Sequence, residues 1–114
     1  MALSLAHRVG SSREIGDIIR LGKRRKLSLI SFSRLVVSGK PWGVVVRISA
    51  KTIPKAVERN LIRRKINAMI TFIAKDSGIS DGLRVVCVVL SKDILKQKPA
   101  DIFEEIKIAT QWNT

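Results

Sequence analysis

Pro54-Lys55-Ala56-Val57-Glu58-Arg59-Asn60-Leu61-Ile62-Arg63-Arg64-Lys65-Ile66-Asn67-Ala68-Met69-Ile70-Thr71-Phe72-Ile73-Ala74-Lys75 is the stretch on which the fold turns. Ile62, Ile66, Met69 and Ile73 recur at steps of four, three and four, the apolar stripe of an amphipathic helix. Pro54 suits the first turn of that helix, where a missing N–H costs nothing. Downstream, Gly78 and Gly82 close a loop before Leu83 to Leu90, a run apolar on both faces. Such a run belongs in the middle of a sheet, parallel to a strand that precedes the helix.

Working outward from there, Trp42 to Ser49 reads as that preceding strand and Leu27 to Val37 as another. The turn Ser38-Gly39-Lys40-Pro41 between them predicts a hairpin. Lys23-Arg24-Arg25-Lys26 reads as a loop. Ser11-Ser12 ahead of Ile15, Ile18 and Ile19, with Gly22 as a stop, predict a first helix. Pro99 opens a last helix with Ile102, Ile106 and Ala109 inward. Asp101, Glu104 and Glu105 lie towards its N-terminal end, where the helix dipole favours negative charge. The expected order is α-β-β-α-β-α. A chain of 114 residues fits one domain spanning residues 1–114, with no internal repeat.

Charge bounds the function. The chain carries 22 Lys and Arg against 9 Asp and Glu, a formal net of +13. Residues 1–65 hold 16 of the basic residues and three acids, whereas residues 66–114 hold six of each. Solubility asks for a net charge of only about 2 to 8 on a small domain. An excess confined to one half is the footprint of a polyanion, whose condensed counterions are released on binding. The chain therefore reads as a nucleic-acid-binding domain.

Other classes are disfavoured. One cysteine, Cys87, lies inside the apolar run, so neither a disulfide nor a thiolate metal cluster can be built, in keeping with a reducing cytosol. Met1 to Ala6 is too short an apolar stretch for a signal peptide, and no run approaches the roughly 18 apolar residues of a membrane span. An organelle transit segment fits poorly because Glu14 and Asp17 follow the basic N-terminus closely. His7 is the sole histidine, and the acids are too dispersed for a two-metal nuclease site.

The informative surface is the polar side of the central helix. At about 100° per residue, Asn60, Arg64, Asn67 and Thr71 fall within about 60° of one another, opposite the isoleucine stripe, with Arg63 on their flank. Arg offers a planar fork of donors that matches phosphate. Asn both donates and accepts at a base edge or a sugar hydroxyl. A solvated helix face would mix signs, but from Lys55 to Lys65 five basic residues meet only Glu58.

At this segment the chain resembles the protein subunit of bacterial ribonuclease P, whose signature is Ser-Lys-Lys at a strand end followed by Ala-Val-x-Arg-Asn-Arg-x-Lys-Arg on a helix. Ala56-Val57, Arg59-Asn60 and Arg63-Arg64 match it. Leu61 stands where the family has a third Arg, Arg63 replaces Lys, Asn67 replaces another Arg, and Ala50-Lys51-Thr52 stands for Ser-Lys-Lys. Element order and spacing extend the likeness over nearly the whole chain.

The resemblance implies an α/β (α+β) two-layer sandwich whose central sheet carries a left-handed βαβ crossover, where sheet physics alone favours a right-handed one. It implies that Lys51, Lys55, Arg59, Asn60, Arg63, Arg64 and Asn67 face a catalytic RNA subunit, one protein per RNA. It also implies that a cleft between the first helix and the sheet takes the 5′ leader of precursor tRNA, at positions Ile15 and Ile19, with Phe32 either a core residue, as is commoner for such a side chain, or the one aromatic on which a leader base stacks. Mg2+ would enter through the RNA, which performs the chemistry, with no metal held by the protein alone and no membrane partner. The rival readings are a structural RNA-binder of ribosomal type, a metal-dependent nuclease acting alone, and a protein of anionic membrane surfaces.

Overall fold

The computed structural model describes residues 7–111; the apolar start Met1 to Ala6 lies outside the described residues. Helix α1 (Ser12–Leu21) begins where the Ser11 hydroxyl accepts from the Glu14 N–H, and ends with the Gly22 N–H donating to the Ile18 carbonyl. A Cβ at residue 22 would lie 2.4 Å from the Arg34 carbonyl oxygen, so the chain turns there against the sheet only because it is glycine. Strands β1 (Lys23–Lys26), β2 (Ile30–Val36) and β3 (Gly43–Arg47) follow, then helix α2 (Ala56–Asp76), strand β4 (Leu83–Val89), a 3-10 turn at Lys92–Lys96, and helix α3 (Pro99–Thr110).

The sheet runs β1-β2-β4-β3, with β4 antiparallel to β2 and parallel to β3. The expected central position of β4, and its parallel pairing with the strand before α2, both hold. Two expectations are corrected. Lys23–Lys26 is not a loop but an edge strand, which pairs antiparallel with β2 in the register Lys23↔Arg34 to Lys26↔Ser31. β2 and β3 do not form a hairpin, because β4 is inserted between them; the hairpin is β1–β2. The Glu105 carboxylate accepts from the N–H groups of Leu29 and Ile30 at 2.9 and 3.1 Å, which fastens the β1–β2 turn to α3.

Successive residues of β4 point to opposite faces of the sheet. Val85, Cys87 and Val89 enter the main core with Ile30, Phe32, Val44 and Val46, beneath α2 and α3. Val86 enters a smaller cluster with Val9 and Ile18, flanked by Ile15, Leu35, Val45 and Val88, beneath α1. The α+β fold expected from the sequence holds, with α2 and α3 packed on one face of the four-stranded sheet and α1 on the other. In α2 the buried residues are Ile62, Ile66, Ile70 and Ile73, so Ile70 rather than Met69 occupies the centre of the stripe. Pro54 stands just before the N-cap Lys55 and not in the first turn, whereas Pro99 does open α3.

Arg84, on the central strand, is the main polar intrusion. Its side chain points to the α1 side, where Nε and Nη2 donate to the two Glu14 oxygens at 2.8 and 3.0 Å. Nη1 donates to the Pro41 carbonyl and Nη2 also to the Arg8 carbonyl. A Cβ at residue 43 would sit 2.4 Å from Arg84 Nη1, so glycine at the start of β3 leaves room for the guanidinium where it lies.

Candidate nucleic-acid interface

The outward side of α2 is built from the remainder of its isoleucine pattern. With Ile62 and Ile66 buried, Asn60, Arg64 and Lys65 are exposed, and Arg63 and Asn67 are half-buried at the border with the sheet. The Arg63 guanidinium donates to the Asn60 Oδ1 at 3.0 Å, so the amide aims the arginine. Arg59 is engaged differently. Its Nη1 donates to the carbonyls of Ile53 and Pro54, each at 2.8 Å, and so clasps the turn that leads into the helix. Thr71 turns its hydroxyl back to the Asn67 carbonyl. Lys51 is exposed in the turn after β3, where Ser49 accepts from the Thr52 N–H, and Lys55 is exposed at the helix start.

Two hollows meet at Arg63. One is lined by Ile19 of α1, Val88 of β4, Val46, Arg47, Ile48 and Ser49 at the end of β3, and Arg63. The other includes Arg8, Gly10, Val45, Arg63 and Asn67. The motif helix and the groove beside α1 are therefore one continuous surface, joined by Arg63. Ile19 stands 44 % exposed on its wall. Ile15, also expected in the cleft, is half-buried in the small cluster beneath α1.

Phe32 is not in the cleft. It is 1 % exposed and belongs to the main core on the opposite face from α1, where the Arg34 guanidinium lies 4.9 Å from its ring centre. Its position in β2 pairs it with Cys87, which points to the same face. An RNA base cannot reach it.

Arg47 was missed by reading the sequence. It is exposed between buried Val46 and Ile48, and strand alternation around it is the signal that marks it as outward. His7 stacks on Trp42, ring centres 3.8 Å apart and nearly parallel, and its Nδ1 donates to the Trp42 carbonyl at 2.8 Å. Among the described residues no group of His, Cys, Asp and Glu is placed to hold a metal ion, and no helix is long and apolar enough to cross a membrane.

Comparison with known proteins places this geometry in context. A family model described as Ribonuclease P matches residues 3–111. No curated protein matches the sequence significantly. Among solved structures, the RNase P protein of Thermotoga maritima superposes with a TM-score of 0.77 at 15 % identity, covering 95 % of this chain and 99 % of that one. A Staphylococcus aureus RNase P protein mutant with defective mRNA degradation activity gives 0.78 at 15 % identity, covering 91 % and 85 %. The RNase P protein from Staphylococcus aureus gives 0.73 at 18 % identity, covering 100 % and 97 %. At such identities these structures speak to the fold alone.

Proposed function

The chain belongs to the ribonuclease P protein family, and on that premise we propose that it binds the catalytic RNA through the outward side of α2 and the 5′ leader of precursor tRNA in the groove beside α1. The observation that carries this reading is the placement of Arg63, held by Asn60 on the motif helix and lining the groove with Ile19 and Arg47. One RNA contact thereby borders the other. Lys51, Lys55, Arg59, Asn60, Arg64 and Asn67 extend the surface along the helix and the turn before it.

The groove offers aliphatic Ile19 and Val88 in place of flat rings. Base stacking, worth about 1 to 3 kcal/mol per base on aromatic side chains, is therefore not the source of leader affinity. Arg47 and Arg63 hold the leader by its phosphates, with little preference for sequence. The protein brings two RNAs together, and the RNA subunit with its Mg2+ carries out hydrolysis, one protein per RNA, in the bacterial cytoplasm.

Incubation with precursor tRNA and Mg2+ tests this. The protein alone leaves the tRNA uncut, and addition of the catalytic RNA gives 5′ cleavage at moderate salt. Cleavage by the protein alone, or no gain from the protein over the RNA subunit, overturns the reading.

A further inference from the structure

The surface of α2 and the groove does not include β1, which carries four basic residues. Lys23, Arg24, Arg25 and Lys26 are all exposed on the outermost strand of the sheet, with β2 and β4 between them and β3. Alternation places Lys23 and Arg25 on the α3 side and Arg24 and Lys26 on the α1 side. On the α3 side, Arg25 shares a hollow with Arg34, Lys107, Ile108 and Gln111, and with Glu104 as its one acid. The neighbouring acid Glu105 is committed to the Leu29 and Ile30 N–H groups.

This is an arrangement of like charges. Lys23 is registered directly opposite Arg34 across the β1–β2 pair. Burial first, and the charge of Arg25 second, hold the Arg34 guanidinium below its ordinary pKa. Arg34 meanwhile donates to the Ile108 and Gln111 carbonyls at the end of α3, so it cannot swing away to relieve the crowding without releasing that helix end. Charged residues on an edge strand prevent edge-to-edge pairing of sheets, but a strand of four consecutive cations beside Arg34 and Lys107 exceeds that need. An external polyanion meets Arg24, Arg25 and Lys26 together on one exposed strand.

We propose that β1 is a second RNA-binding surface, on which Arg24, Arg25 and Lys26 hold the phosphate backbone of an RNA segment distinct from the one bound by α2. Residues two apart on a strand are separated by about 6.7 Å, close to the spacing of successive phosphates along a nucleic-acid strand, so each side of β1 can follow a backbone. The outward N–H groups of an edge strand add neutral donors for phosphate oxygens. Three strand spacings of about 4.8 Å separate β1 from β3, which leads into α2, so the two surfaces face opposite edges and the protein clamps two RNA segments across the width of its sheet. The inference rests on the reading of the chain as an RNA-binding subunit.

Two measurements test it with the full chain and the catalytic RNA subunit of ribonuclease P. In a salt series, the triple variant Arg24→Gln, Arg25→Gln, Lys26→Gln gives a log-log slope shallower by about 2 to 3, at about 0.7 to 0.9 per lost phosphate contact. In directed cleavage, an iron chelate is attached at Lys26→Cys or, separately, at Lys65→Cys, with buried Cys87 left unlabelled; the Lys26 probe cuts an RNA segment that the Lys65 probe leaves intact. Unchanged affinity and slope in the triple variant, with Arg64→Ala still weakened, overturn this inference alone. So does a Lys26 probe that makes no cuts or only those of the Lys65 probe. Wild-type protein without salt-dependent binding overturns the underlying reading as well.

Discussion

Arg84 and Glu14, 70 positions apart, meet in a two-pronged ion pair that pins α1 to the central strand of the sheet. The side chains are 6 % and 15 % exposed, so the pair is shielded from water on the side of the arginine. Removing one partner strands the other charge in a half-closed site. We expect Arg84→Ala to cost about 3 to 5 kcal/mol, the range for breaking a buried pair by deleting one member, read from urea unfolding midpoints.

Acid should undo the same contact. The hydrogen bond from Arg84, followed by that from Lys40, holds the Glu14 carboxyl below its ordinary 4.5 in spite of burial, which pushes it the other way. A carboxyl with a lower pKa in the folded state stabilises the fold above its unfolded pKa, and the stabilisation disappears as the pH falls through the folded value. The stability difference between wild type and Glu14→Gln is therefore largest near neutrality and shrinks as the pH drops below 4.5. Denaturant titrations along an acid series measure it.

Cys87 reports on the core. It is fully buried, and burial pushes its thiol up to about 12. The thiolate is the reactive form, so iodoacetamide at neutral pH leaves the native protein unmodified and labels it only through unfolding. Labelling of the folded protein at the rate of a free thiol contradicts the described position of β4.

The helix α2 separates binding from stability. Arg64→Ala weakens affinity for the catalytic RNA while stability stays within about 0.5 kcal/mol, as surface substitutions usually do. Ile66→Ala, at a position with no exposure, lowers stability by about 2 to 5 kcal/mol through a cavity. Filter binding and thermal melts on both variants check the split.

Arg59 breaks that division. Because it donates to the Ile53 and Pro54 carbonyls, Arg59→Ala lowers both RNA affinity and stability, the latter by roughly 1 to 2 kcal/mol. Leu61→Arg, at a position 45 % exposed, restores the third arginine of the family signature and tightens RNA binding with no loss of stability. The same melts and binding curves decide.

The helices and β4 were legible because their signals are local or intrinsic. Ser11 and Gly22 delimit α1, the isoleucine spacing defines α2, and a run apolar on both faces can only be an interior strand. The misread elements depend on partners far along the chain. Lys23–Lys26 has no alternation of polarity, and it is a strand only because β2 offers it an edge. The turn at Ser38-Gly39-Lys40-Pro41 serves a hairpin or a chain passing across the sheet equally well, and it is β4 that separates the two strands. The side taken by Phe32, core or cleft, stays open in the sequence because the residues from Leu27 to Val37 do not say which side of the sheet α1 covers. The basic side of α2 was readable from the wheel, whereas its junction with the groove at Arg63 depends on how α1 and β3 are brought together.

The strand order also constrains how the protein is made. β4 is the last strand to leave the ribosome, yet it occupies an interior place in the sheet, between β2 and β3. Until it arrives, the β1–β2 hairpin and β3 have no strand to join them, and the apolar residues of both stand open to water. Pairings of this sequence separation are slow to form, and transiently unpaired edges invite association with other chains. Synthesis therefore leaves the sheet without its interior strand until residues 83–89 have been made.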